Sequence, residues 1–277
     1  MRTADRRIAL GLHRTRHTRH LLEGALEQGV TDLDTAFNYH HFTSHRTLAA
    51  IADDLLAAFT ISTKVGYFPD GHDLAPARLR AAVEQSAQEL GRTPDTVLLH
   101  NPESSVAGFA DACAALLEMR EAGLCKSWGL SSWDPRSLVD AGWEIPRPDV
   151  AMVRAGLTVS AGILNAVDEL VDRAGITELW GMAPFAGNAD DPIWQTVDTS
   201  TFLVPGQQCS TLQAGVAAAF AIPEVTRLAV GTSHVDHLAE AVGGLRLEVN
   251  TETVTVYRAL LRERATVSAG AQSRKDQ

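Results

Sequence analysis

The sequence predicts an α/β fold, a single-domain (β/α)8 barrel of the TIM type, and two observations predict it. Short β-rich runs alternate with longer helical patterns throughout, which is the sequence form of repeated βα units around a parallel sheet. At 277 residues and 45 % hydrophobic, the chain suits one barrel of about 250 residues and needs no second domain.

Strands are expected near 7–12, 31–35, 59–65, 95–100, 126–131, 149–153, 177–182 and 226–231. Eight of them with helices between point to a closed barrel. The helices rest on apolar period and on punctuation. Over 76–90, Leu79, Val83 and Leu90 share one face, Pro76 suits the first turn and Gly91 stops the run. Over 105–122, Phe109, Cys113, Leu116 and Leu117 precede Gly123. Over 162–174, Leu164, Val167, Leu170 and Val171 lead to Gly175, and over 235–242, Val235, Leu238 and Val242 lead to Gly243. These faces are core. The stretch 186–210, with Asp190, Asp191, Pro192, Pro205 and Gly206, is poorly periodic and is expected to be a long loop over the barrel mouth. The barrel is assigned to residues 1–264 and a polar, frayed tail to 265–277.

A formal charge of −10 and a pI near 5.4 argue against nucleic-acid or anionic-membrane partners, which attract basic patches. The expected partners are small molecules. Cys113, Cys125 and Cys209 form no Cys-x-x-Cys pair, which fits a reducing compartment rather than a disulfide framework or a zinc site. The opening Met-Arg-Thr-Ala-Asp-Arg-Arg has no apolar core and no run approaches 18 apolar residues, so a cytoplasmic location is expected.

Four residues that close strand-like runs carry the chemistry: Asp34, Tyr39 just beyond it, Lys64 and His100. In such barrels the active site lies where the strands end. A phenol with a pKa near ~10 is a poor acid at neutral pH until an ammonium stabilises its anion and a carboxylate holds that ammonium. Lys64 and Asp34 can fill those roles for Tyr39. His100 can hydrogen-bond the reacting oxygen, so the set suits protonation of a carbonyl as hydride arrives, or the reverse reaction on an alcohol. Singly, each residue also has a packing or surface role open to it. Their order and frame favour the catalytic reading.

This set resembles the tetrad of the aldo-keto reductases. Ile8-Ala-Leu-Gly-Leu12 is similar to that family's opening strand, Gly129-Leu-Ser-Ser-Trp133 to its Gly-Val-Ser-Asn-Phe segment, and Val230-Gly-Thr-Ser233 with Leu238 and Glu240 to its closing cofactor loop. Order and spacing match from about residue 7 to 245. Met152-Val-Arg-Ala-Gly-Leu157 and Gly181-Met-Ala-Pro-Phe185 are most similar to the aldose, galactose and pyridoxal dehydrogenase branch.

The resemblance implies NADPH or NADH lying extended across the barrel top, with its ring beside Tyr39 and its phosphates over the loops of strands seven and eight. The positions it assigns to the cofactor are Ser131, Ser132, Met152, Met182, Ala183, Phe185, Gly231, Thr232, Ser233, His237 and Glu240. Several depart from the family pattern. Ser132 is shorter than the usual Asn, and Met152 and Met182 give contact area without a polar or aromatic group. Gly231 and His237 stand where NADPH-preferring members carry a Lys and an Arg on the adenosine 2′-phosphate, which leans toward NADH or dual use.

Two clusters call for separate readings. Arg14, Arg16 and Arg19, interleaved with His13, His17 and His20, follow the first strand, and are either a solvated helix start or an anion clamp for a cofactor phosphate or anionic substrate. His40, His41 and His45 lack regular metal-ligand spacing and are read without a metal, with His40 and His41 shaping the substrate pocket. Two other activities stay open beside hydride transfer: redox-neutral elimination or epimerisation, and a non-catalytic cofactor-binding regulator. Cofactor turnover separates the first from both.

Overall fold

The computed structural model of the chain describes residues 6–140 and 144–273. Eight parallel strands form its centre: β1 (Arg7–Gly11), β2 (Asp32–Asp34), β3 (Thr60–Val65), β4 (Thr96–His100), β5 (Ser127–Ser132), β6 (Val150–Arg154), β7 (Glu178–Met182) and β8 (Arg227–Gly231). Each pairs with the next, and β1 pairs with β8 from Arg7 opposite Arg227 to Gly11 opposite Gly231, so the barrel is closed. Closure leaves no sheet edge for another chain to extend.

Alternate residues of the strands point inward. Ala9, Leu98, Val150, Met152, Trp180 and Ala229 fill the interior as a packed core. The outward residues, among them Leu10, Leu33, Ile61 and Leu228, pack under the helices α1 (Arg19–Glu27), α2 (Ser44–Leu56), α3 (Pro76–Leu90), α4 (Phe109–Glu121), α5 (Arg136–Asp140), α6 (Ala161–Ala174), α7 (Thr211–Ala219), α8 (Val235–Gly243) and α9 (Thr251–Ser273). Local signals bound the helices, and those at Pro76 and Gly91 act as expected. Pro76 starts α3 and left-handed Gly91 ends it, Thr18 accepts from the Leu21 N–H to cap α1, and Ser210 and Gln213 form a reciprocal capping box on α7.

An ionic plug closes the N-terminal end of the barrel. The Arg227 guanidinium lies 3.9 Å from the centroid of the Trp180 ring and 3.1 Å from Asp32, with both charged side chains buried. Burial pushes the Asp32 carboxyl up and the Arg227 guanidinium down, and their mutual attraction opposes both shifts.

The structure differs from the sequence reading in three places. The last helix runs to Ser273, so the boundary drawn between 264 and 265 falls inside it, and only residues 274–277 of the expected tail lie outside the described residues, as do 1–5. This helix is docked: the Tyr257 hydroxyl donates to the Leu157 carbonyl at 2.6 Å and Arg258 pairs with Asp168 at 2.6 Å. The 186–210 stretch is partly ordered, with single helical turns at Ile193–Thr196 and Thr199–Phe202. Its second half is anchored at the side of the barrel, where Phe202 meets the Tyr257 ring edge-on at 5.1 Å. A small antiparallel ribbon, Tyr67–Phe68 with Gly71–His72, follows β3. Among the described residues no helix is long and apolar enough to cross a membrane.

Candidate active site

Asp34, Lys64 and His100 come from β2, β3 and β4, at the C-terminal face of the barrel, and Tyr39 stands in the loop after β2. The Lys64 ammonium has three N–H bonds and three partners: Asp34 Oδ2 at 2.5 Å, the Thr35 carbonyl at 3.0 Å and the Tyr39 hydroxyl at 3.4 Å. The other Asp34 oxygen accepts from Ser62 Oγ at 3.0 Å. No polar atom of this pair is left over, which is what lets two charges stay buried.

Burial pushes the Tyr39 phenol above its ordinary value, with Lys64 pulling it down and Asp34 pushing it up. The sequence reading expected Lys64 to lower this phenol; the attraction is present, but desolvation outweighs it, so the phenol stays protonated through neutral pH. Lys64 itself is raised: burial works against its charge, but Asp34 and Tyr39 together overcome that cost. His100 is held well below 6.5 by burial and by the neighbouring Lys64, His72 and His13, so it is neutral. Its ring stands edge-on to Tyr39 at 5.9 Å, and Tyr67 meets its other side at 5.0 Å.

The remaining predicted positions fall into two groups. Ser131 and Ser132 end β5 with buried hydroxyls, that of Ser131 without a partner and that of Ser132 facing the Glu103 carboxyl. Met152 lies in the closed barrel interior, and Met182 is half-buried above it. At the outer rim, Ala183 is left-handed, and Phe185 packs edge-on against Trp194 at 5.1 Å beside an open cavity of about 340 Å³ that Asp190, Asp191 and Thr211 also line. Gly231 is exposed at the end of β8, Thr232 Oγ1 accepts from the His234 N–H at 3.1 Å, and Ser233 Oγ accepts from the Arg16 N–H at 2.9 Å. The His237 ring lies 5.1 Å from that of His234, and Glu240 accepts from Ser210 Oγ at 2.5 Å.

The histidines and arginines divide. Arg19 is taken by Asp54 at 2.7 and 2.8 Å and by Glu23 at 2.8 Å, so it is a surface tie. Arg14 and Arg16 are exposed. His13 turns to the Tyr39 ring at 5.0 Å. His45 is buried against Thr63 Oγ1 at 2.9 Å, away from the other two histidines. His40 does not simply border the substrate pocket as expected: it stacks on His17 at 3.9 Å and bonds the Thr15 carbonyl at 2.7 Å, tying the second loop to the first.

Local sequence signals missed other residues at this face. His72 bonds the His100 carbonyl at 2.8 Å, and its place at the base of the ribbon, opposite Tyr67, became visible only with the fold. Glu103 accepts from the Trp133 and Asp134 N–H groups at 2.6 and 3.0 Å, with its second oxygen buried and the Ser132 hydroxyl close to the carboxyl. The Arg154 guanidinium lies over Trp133 at 4.8 Å. Its position as the charged last residue of an apolar strand was a usable signal.

Backbone strain collects here as well. The seven non-glycine residues with positive φ among the described residues are Arg14, His40, His41, Phe42, Asn101, Ala183 and Ala186. All seven lie in loops that leave the C-terminal ends of barrel strands. Such conformations cost about 1 kcal/mol or more each and cluster at functional sites.

The aldo/keto reductase family model matches residues 12–169, more than half of the chain. Among solved structures, the chain resembles aldo-keto reductase AKR11C1 from Bacillus halodurans in its holo form, with a TM-score of 0.72 and 18 % identity over 92 % of this chain and 91 % of that one. An aldo/keto reductase from Klebsiella pneumoniae in complex with NADP and acetate gives 0.71 and 17 % over 92 % and 90 %. The aldose reductase of Giardia lamblia gives 0.68 and 14 % over 93 % and 92 %. At these identities the likeness speaks for the fold alone, and no curated protein matches the sequence. Because the family match spans more than half of the chain and takes in β2 to β6, the chain belongs to the aldo/keto reductase family.

Proposed function

We propose that this chain is an NAD(P)-dependent oxidoreductase that moves a hydride between a nicotinamide cofactor and the carbonyl or carbinol carbon of a small molecule. The carrying observation is the buried Lys64 ammonium held between the Asp34 carboxylate and the Tyr39 phenol at the barrel mouth. The residues present suit the cofactor. The unpartnered hydroxyl of Ser131, with the Ser132 hydroxyl facing the Glu103 carboxyl, matches the donors and acceptors of a carboxamide. Met182 would give its ring an apolar support, whereas Met152, expected at the cofactor, is sealed in the barrel core, and residues 183–185 and 231–240 would hold the phosphates and adenosine. Bound there, the nicotinamide supplies or accepts the hydride. The Klebsiella pneumoniae relative, a complex with NADP, supports this reading.

Tyr39 gives its phenolic proton to the substrate oxygen in reduction and recovers it in oxidation. Lys64 meets the resulting phenolate with a full positive charge, and Asp34 keeps that charge in place. Neutral His100 can donate a ring N–H to the same oxygen and orient it. The resemblance to the dehydrogenase branch favours a sugar-derived carbonyl or a small aldehyde or ketone.

The test is Tyr39→Phe, assayed by nicotinamide absorbance with aldoses, pyridoxal and small aldehydes. Turnover should be lost while cofactor binding persists. Undiminished turnover in the variant would overturn the assignment, and product formation without net cofactor change would favour redox-neutral chemistry.

A further inference from the structure

Resting on the reading above, we propose that Arg14 and Arg16 of the first loop form a phosphate clamp that recognises the adenosine 2′-phosphate and makes the chain prefer NADPH. These two guanidiniums take over from the cations absent at Gly231 and His237.

The first loop is a wall of the last one. The Arg16 N–H donates to Ser233 Oγ at 2.9 Å across 217 positions of sequence. A Cβ on Gly231 would lie 3.5 Å from the Gly11 carbonyl oxygen, 3.7 Å from that of His13 and 3.9 Å from Thr15 Cγ2, so residues 11–15 border the base of the loop after β8. Loops after the last strands are the common phosphate-binding side of such barrels. Here that side is shared with residues 13–16.

The loop that carries the arginines is held. Leu12 N–H bonds the Asp34 carbonyl at 2.8 Å, His40 holds the Thr15 carbonyl at 2.7 Å, and His17 stacks on His40. Arg14 sits in the left-handed region at φ 57°, a cost that a plain solvated turn would avoid by using glycine.

Charge completes the case. Neither Arg14 nor Arg16 is in an ion pair among the described residues, whereas Arg19, three positions on, is bonded by both Asp54 and Glu23. Arg14 and Arg16 are exposed and without ion pairs on a chain of formal charge −10, and they border a loop segment whose acids are Asp236 and Glu240. Glu240, an acid of the same segment, is engaged by Ser210. A phosphate monoester near dianionic charge matches guanidinium forks. The pyrophosphate is common to both cofactors, so a clamp on it would not discriminate between them.

The experiment titrates the protein with NADPH and with NADH, following quenching of its five tryptophans, and repeats this for Arg14→Gly, Arg16→Ala, the double variant and Arg19→Ala. Glycine at 14 keeps the left-handed backbone. The native chain should bind NADPH about tenfold or more tighter than NADH, the double variant should bring that ratio near one by weakening NADPH alone, and Arg19→Ala should leave it unchanged. For the unaltered protein, raising salt from about 0.05 to 0.5 M should weaken NADPH more than NADH, a readout that does not depend on any variant folding. Both cofactors binding with equal affinity, or a ratio the double variant does not move, would overturn the clamp and leave the oxidoreductase reading standing. Binding of neither cofactor would overturn both.

Discussion

The Lys64 ammonium lies 2.5 Å from Asp34 Oδ2, and both side chains are shut away from solvent. Each is the other's chief compensation for burial. Lys64→Met leaves a buried carboxylate unpaired and should cost about 3 kcal/mol, with a similar loss for Asp34→Asn, which strands the ammonium. The double variant should recover much of that stability while remaining inactive. Urea unfolding of the four proteins checks the coupling; simply additive losses would show that the two groups do not stabilise each other.

Catalysis should depend on pH through the phenol. Burial raises Tyr39 above 10, so the protonated form needed for reduction is present at lower pH and is lost only as pH rises through that value. kcat/KM for reduction should be flat across pH 7–9 as far as this group is concerned, then fall. His100, held well below 6.5, should charge only in acid. A decline in the rate of the reduction step with a midpoint near pH 8, after correction for cofactor binding, would count against Tyr39 as the acid.

Stability should fall on the acid side through His45. It is buried neutral against Thr63, and burial lowers it from 6.5 to about 4. The unfolded chain therefore binds a proton below pH 6.5 that the folded chain refuses until about pH 4. The contribution is full above 6.5 and is lost as pH drops between those values, amounting to roughly 3 kcal/mol. Denaturant unfolding at pH 7 and pH 4.5 measures the slope, and His45→Gln should make it shallower. An equal slope in the variant would assign the acid sensitivity elsewhere.

Two glycines should respond oppositely to alanine. A Cβ on Gly129 would fall 2.0 Å from the Val150 carbonyl oxygen, on backbone that cannot yield without breaking the β5–β6 contact. Gly129→Ala should cost at least about 3 kcal/mol, as severe overpacking does. On Gly162, in the first turn of α6, the nearest atom would be the flexible Arg136 Cδ at 3.7 Å. Gly162→Ala should be neutral or stabilise by up to about 0.5 kcal/mol. Thermal melts of both variants decide the matter.

What was legible in the sequence is what depends on near neighbours or on chain order. Four barrel strands, β2, β4, β5 and β6, close on a polar residue, and α3 is bounded by Pro76 and Gly91 as read. Asp34, Lys64 and His100 could be found because a parallel barrel brings every strand end to one face. The misses involve partners far apart in the chain. Glu23 at i+4 is the one local sign that Arg19 is a surface tie, and its stronger partner, Asp54, sits 35 residues away on another helix. The β-branched run Val254-Thr-Val256 favours helix poorly, and α9 persists because Tyr257 and Arg258 find partners 100 and 90 residues away. His45 read as a member of a histidine group, yet the turn at 40–42 sends it into the core.

The left-handed residues around the mouth and the Arg227–Trp180–Asp32 plug at the opposite end divide the barrel into two regimes of change. Loops already raised in energy lie closer to competing conformations than the strands beneath them. Substitutions that alter which ligand fits can then be accommodated there without unsettling the cylinder. The plugged end has no ligand to please, so selection for heat resistance can work on it freely. New specificity and added robustness can thus be acquired separately, from opposite faces of one chain.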